Sequence, residues 1–186
     1  MPTHRQQSFL GTLWLRNYPV STLDVIAGEP VWINTLGGAG ILPGLVSTVR
    51  NDSSMLSCHP SVNCAPMVFY FRHTSEGYRL YVRETGDHFG KGVVVHDHKH
   101  LGVQQTDRYD PSLFTLKGPD GRALELSELT SDFHSVMLIH GESGISRSRR
   151  SNSTYEYLAA KDQAPHIWLL RILERNVPWL SSPDEV

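Results

Sequence analysis

The chain has 186 residues and a formal net charge of −2, with 39% hydrophobic and 19% charged residues. That composition belongs to a folded chain with a sizeable core and excludes a disordered one. It offers no electrostatic basis for broad nucleic-acid binding, and no apolar run reaches the roughly 18–20 residues of a membrane helix. Neither nucleic acid nor membrane insertion is therefore expected. The first residues, "MPTHRQQSFLGTLWL", lack a basic start followed by an apolar stretch. A signal peptide has both, so a cytoplasmic location is expected. No cofactor is expected.

In chain order, strand signals occur at "FLGTLWL" (9–15), "STLDVI" (21–26), "PVWIN" (30–34), "MVFYFR" (67–72) and "YRLYVRE" (78–84). They continue at "GVVVH" (92–96), "SLFTL" (112–116), "RALELSEL" (122–129), "SVMLIH" (135–140) and "HIWLLRIL" (166–173). Each is short, alternating or wholly apolar, and bounded by Gly, Pro, Asp or Ser. Only "YEYLAAKD" (155–162) and "PWLSSPDEV" (178–186) suggest helix. The fold class is therefore all-β, a sandwich or a barrel.

A repeated mark narrows the choice. "APMVF" (65–69), "DPSLF" (110–114) and "APHIW" (164–168) each read proline, any residue, aliphatic, aromatic. Aligning the second and third marks puts Phe69 on Phe114, Gly77 on Gly121, Leu80 on Leu124 and Val82 on Leu126. Farther on, Val93–Val95 fall on Val136–Leu138. Three units follow, at about 8–66, 67–111 and 112–173, with an irregular insertion at 35–64 and a tail at 174–186. This pattern resembles the β-trefoil. The resemblance implies a single domain of three pseudo-repeats, about four short strands each, around a pseudo-threefold axis. It also implies that Phe69, Phe114 and Trp168 meet near the axis with Phe71, Leu116 and Leu170. Pro66, Pro111 and Pro165 lack an N–H and suit the point just before strand pairing begins.

Two polar clusters are candidate sites. In "HDHKH", His96, His98 and His100 would share one face of a strand, and neutral imidazoles so placed bind Zn²⁺, Cu²⁺ or Ni²⁺. The blander reading is a solvated histidine-rich loop. In "GISRSRRSNSTY" (144–155), Arg147, Arg149, Arg150 and Asn152 have the composition of an exposed loop. Its three arginines can bind sulfate or phosphate groups. Alternatively, Arg147–Ser148 or Arg150–Ser151 can enter the cleft of a trypsin-like protease. Cys58 and Cys64 read as reduced thiols, with a local disulfide as the alternative. Trp14, Trp32 and Trp168 alternate with aliphatics and are expected in the core. Trp179 is expected to pin the tail.

Catalytic signatures fail on inspection. "GESG" (141–144) is not G-x-S-x-G, and "LGGAG" (36–40) lacks dinucleotide-loop spacing. The expected function is therefore non-enzymatic ligand binding, with a glycan as the first candidate. The alternatives are a protease inhibitor acting through 144–155 or 35–64, and a protein–protein interaction module. The Q-x-W repeat of ricin-type trefoil lectins is absent, so no sugar-binding residue carries over from them.

Overall fold

The computed structural model describes residues 2–36, 47–58, 64–96, 98–161 and 164–178. β-branched and aromatic residues bounded by turn formers pair as strands throughout. In chain order these are β1 (Phe9–Leu15), β2 (Tyr18–Pro19), β3 (Ser21–Thr22), β4 (Trp32–Leu36), β5 (Ser47–Asn51) and β6 (Leu56–Ser57). β7 (Phe69–Thr74), β8 (Gly77–Val82), β9 (Gly92–Val95), β10 (Leu101–Gln104) and β11 (Leu113–Lys117) follow. The last four are β12 (Phe133–His140), β13 (Ser143–Arg149), β14 (Glu156–Lys161) and β15 (Trp168–Arg175). Among the described residues the only α-helix is α1 (Leu23–Ala27), with 3₁₀ turns at Arg5–Gln7 and Leu126–Glu128.

Six strands close an antiparallel barrel. β1 pairs with β7, β7 with β8, β8 with β11, β11 with β12, β12 with β15, and β15 returns to β1. The antiparallel pairs β4–β5, β9–β10 and β13–β14 lie outside this ring, together with the short β3–β6 pair. Alternation fills the interior. Phe69 and Phe71 of β7, Phe114 and Leu116 of β11, and Trp168 and Leu170 of β15 are buried in one cluster with Phe9, Leu80, Val136 and Leu138. Each such side chain contributes roughly 1.5–3 kcal/mol by leaving water. Phe9 stacks on Phe71 with ring centroids 4.5 Å apart, and Tyr78 meets Phe9 edge-on at 5.6 Å.

The three prolines play one recurring part. The residue after each donates its N–H to the carbonyl of a buried aliphatic on an outer segment: Met67 to Val20 at 3.0 Å, Ser112 to Val93 at 2.9 Å, and His166 to Ile145 at 3.2 Å. In two of the three, a glycine lies directly under the proline. A Cβ at Gly92 would overlap the ring of Pro111, and one at Gly144 would overlap Pro165. The proline thus ends the loop against an outer strand, and the next residue turns the chain into the barrel.

Five sequence expectations fail here. Residues 155–162 are not a helix: Glu156–Lys161 is β14, paired along β13. Leu158 and Ala160 enter the main core, while Tyr157 enters a smaller cluster with Leu23, Val31, Ile33 and Met55. Burial on both faces overrides the helix preference of alanine and lysine. "STLDVI" gives only two strand residues before α1, which buries Leu23 and Ile26 one turn apart and ends at Gly28 with φ 74°. "RALELSEL" gives one bridge, Lys117 to Ala123, and then a 3₁₀ turn. Glu125 and Glu128 cap that turn reciprocally, and Leu126 N–H donates to the Tyr78 hydroxyl at 3.1 Å. The expected match of Val93–Val95 to Val136–Leu138 also fails, since the first lie on outer strand β9 and the second on barrel strand β12. Finally, Trp32 is 59% exposed because Ile33 takes the inward position.

Trp14 is half-buried, with Nε1 donating to Thr12 Oγ1 at 3.0 Å, and Trp168 is in the core. Cys58 and Cys64 are both free thiols. Trp179, the segment 179–186 and half of the expected insertion (37–46 and 59–63) lie outside the described residues.

Candidate functional site

The site is built around Asp52, whose side chain is fully buried. The turn after β5 places it: Asp52 N–H donates to Val31 O at 2.9 Å and Met55 N–H to Asp52 O at 3.0 Å. Four donors converge on its carboxylate. Arg50 Nε and Arg150 Nη1 donate to Oδ1, each at 2.8 Å, while Arg50 Nη2 at 2.9 Å and the Tyr157 hydroxyl at 2.6 Å donate to Oδ2. A buried carboxylate is tolerated when it is paired and its lone pairs are filled in this way. The Asp52 bond raises the Arg50 pKa above its ordinary value. Burial, and then the Asp52 contact, push the Tyr157 phenol up to about 12, so it remains a donor at neutral pH.

Three segments meet over this clamp: the end of β5, the turn between β9 and β10, and the turn between β13 and β14. Their cleft has a volume of about 570 Å³ and is lined by Arg50, His98, His100, Arg149 and Arg150. A hollow of about 500 Å³ bordered by His96, Gln104 and Asn51 shares Arg50, His98 and Arg150 with it. Two guanidiniums on one carboxylate, with Arg149 exposed beside them, leave the described residues of the cleft net positive. His100 reports the same field. Burial first, then the charges of Arg150, Lys161, His98 and Arg50, lower its pKa to about 4. Its ring lies edge-on to Tyr157 with centroids 5.6 Å apart.

The predicted site residues are redistributed by the fold. Residues 144–149 are not a loop but part of strand β13, and only 150–155 form the turn to β14. Ser146 and Ser148 share a buried face with Ala159 and Tyr157, Arg147 lies on the opposite face with buried Ile145 and Leu158, and Arg149 is exposed at the strand end. Arg147 is turned to Glu156, with Nη1 to Oε2 at 2.7 Å, and does not line the cleft. Asn152 sits exposed at the hairpin tip with φ 61°. Arg149 and Arg150 do line the cleft.

The three histidines do not share a strand face. His96, His98 and His100 lie in the turn between β9 and β10: His96 N–H donates to His100 O at 2.9 Å, Lys99 N–H to His96 O at 2.7 Å, and Lys99 has φ 65°. The turn docks on β14, where Ala160 N–H donates to Lys99 O at 2.8 Å. Among the described residues no group of three His, Cys, Asp or Glu side chains could hold a metal ion. Arg50, Asp52 and Tyr157 were missed. The available signal was "RND" (50–52), a cation and an anion two apart on an alternating segment.

Comparison with protein-family models, with curated proteins and with solved structures gave no match. The functional reading therefore rests on the site itself.

A second cavity, of about 390 Å³, lies between α1 and residues 82–88. Met67 and Val82 form its apolar floor, and Asp24, Glu29, Glu84 and Asp87 its acidic rim. Asp24 there accepts from His88 Nε2 at 2.7 Å.

Proposed function

We propose that the protein is a non-enzymatic β-trefoil that binds a glycan in the cleft over Asp52. Three features support the trefoil: the closed six-strand ring, the outer strand pairs, and the same proline-led hydrogen bond at Met67, Ser112 and His166. The observation that carries the binding reading is the clamp. One buried carboxylate holds two guanidiniums from distant segments in fixed planes at the rim of an open polar cleft. Planar donors immobilised in advance suit vicinal oxygen ligands such as sugar hydroxyls, because little side-chain entropy is lost on binding. Gln104, Asn51 and His98 add polar groups around them.

The protease-inhibitor reading is disfavoured at 144–155. Arg147–Ser148 is paired within β13, and the Arg150 side chain is held by Asp52 instead of extending outward. A protein partner is the second reading, favoured by the exposed apolar side chains Phe133, Ile167, Leu169 and Leu173 on and beside β12 and β15.

A glycan array probed with the labelled protein and with His98→Ala tests the proposal. Discrete hits that weaken in the variant are expected. An empty array overturns the glycan reading, and a concentration-dependent self-association or protein pull-down lost in Leu169→Asp would favour the second.

A further inference from the structure

The charge balance of the cleft goes further than its shape. Resting on the glycan reading, the geometry points to an anionic ligand: a sugar bearing a sulfate or phosphate monoester, seated on the guanidiniums of Arg50, Arg149 and Arg150. Asp52 is the only carboxylate lining or underlying the cleft among the described residues, and its oxygens already accept four bonds. A neutral sugar hydroxyl would therefore find donors here but few acceptors. A tetrahedral oxyanion presents only acceptors and matches a set of planar N–H forks. Arg50 uses Nε and Nη2, and Arg150 uses Nη1, on Asp52. Arg50 Nη1 and Arg150 Nε and Nη2 remain as donors at the rim, beside exposed Arg149.

Among the described residues the fixed charges that face this point are cationic, apart from Asp52 beneath it. β5 brings Arg50, the β9–β10 turn His98 and neutral His100, the β13–β14 hairpin Arg149 and Arg150, and β14 Lys161 at longer range. The carboxylate of Glu156 on β14 is engaged by Arg147 and contributes no competing acceptor. An incoming monoester thus meets guanidiniums from two directions, β5 and the β13–β14 hairpin, in a cleft already closed underneath.

Isothermal titration calorimetry tests this with a heparin-derived tetrasaccharide and its fully desulfated form, at low and high salt. Inorganic sulfate and inorganic phosphate serve as competitors that show which oxyanion the cleft favours. The titration is repeated with Arg149→Ala and with Arg122→Ala, an exposed arginine outside the cleft. Arg149 is chosen because Arg50 and Arg150 neutralise buried Asp52 and their loss would damage the fold. The sulfated form is expected to bind at least about tenfold more tightly than the desulfated one, one charge-assisted hydrogen bond being sufficient for that ratio. Arg149→Ala should weaken binding several-fold and flatten its salt dependence, while Arg122→Ala changes neither. Equal affinity for both forms overturns the sulfate or phosphate monoester as the recognised group and leaves the glycan reading standing. Absence of binding by the sulfated form and by inorganic sulfate and phosphate, at low salt, overturns the monoester ligand, whereas the glycan reading falls only with an empty array.

Discussion

Arg150 lies 98 residues from Asp52 in the chain, yet its Nη1 is 2.8 Å from Asp52 Oδ1, where Arg50 Nε also donates. This contact joins the turn after β5 to the hairpin β13–β14. Asp52→Asn removes the charge that both guanidiniums neutralise and leaves them facing each other. Stability should fall by about 3–5 kcal/mol, the usual effect of breaking a buried ion pair. Tyr157→Phe removes one of the four donors and should cost less, about 1–3 kcal/mol. Urea unfolding followed by far-UV circular dichroism measures both. An Asp52→Asn midpoint equal to that of the wild type would mean the clamp contributes nothing to the fold.

The glycine–proline contacts predict a pair of equal effects. Gly92→Ala and Gly144→Ala each push a methyl group into a proline ring. Overpacking of this kind costs about 1–3 kcal/mol. Both variants should lower the thermal midpoint. Tolerance of alanine at either position would show that the proline loops give way without cost.

Histidine burial sets an acid sensitivity of definite sign. The His100 pKa is about 4 in the folded chain and about 6.5 in the unfolded one. His73 and His166 are lowered too, in each case first by burial. Between these values the unfolded state binds more protons, so stability is fully present above about pH 6.5 and falls as the pH drops. His100→Gln should flatten that decline between about pH 6.5 and 4. An unchanged pH profile in the variant would remove His100 as its source.

The two thiols should differ in reactivity. Burial pushes Cys58 up to about 12 and also raises the pKa of half-buried Cys64. The thiolate is the reactive form, so iodoacetamide should label Cys64 first and Cys58 only on unfolding. Mass spectrometry of timed digests reads the order, and equal labelling of the native protein would contradict it.

Much of the barrel was legible because its strands carry the period-2 signal undiluted. "MVFYFR" and "SLFTL" alternate or run apolar between turn residues, and the proline marks precede three barrel strands. β13 was hidden because two of its buried positions are Ser146 and Ser148, which composition assigns to a loop. β14 was hidden because Ala159 and Ala160 favour helix until pairing with β13 is known. Of the site, only Arg149, Arg150 and the histidines were visible, as local clusters. Asp52 and Arg50 fell in a stretch that read as irregular. Their role depends on Arg150 and Tyr157, which only the tertiary fold brings near. Pairing across that separation leaves no local pattern to read.

Side-chain NMR tests the central claim most directly. The Nε–H resonances of Arg50, Arg149 and Arg150 and the His98 ring are followed as the heparin-derived tetrasaccharide is added. Ligand in the cleft predicts saturable shifts at these four residues, with His88 in the acidic cavity and Leu169 on the outer barrel face unmoved. Shifts that map to His88 or Leu169 while the three arginines stay still would contradict it.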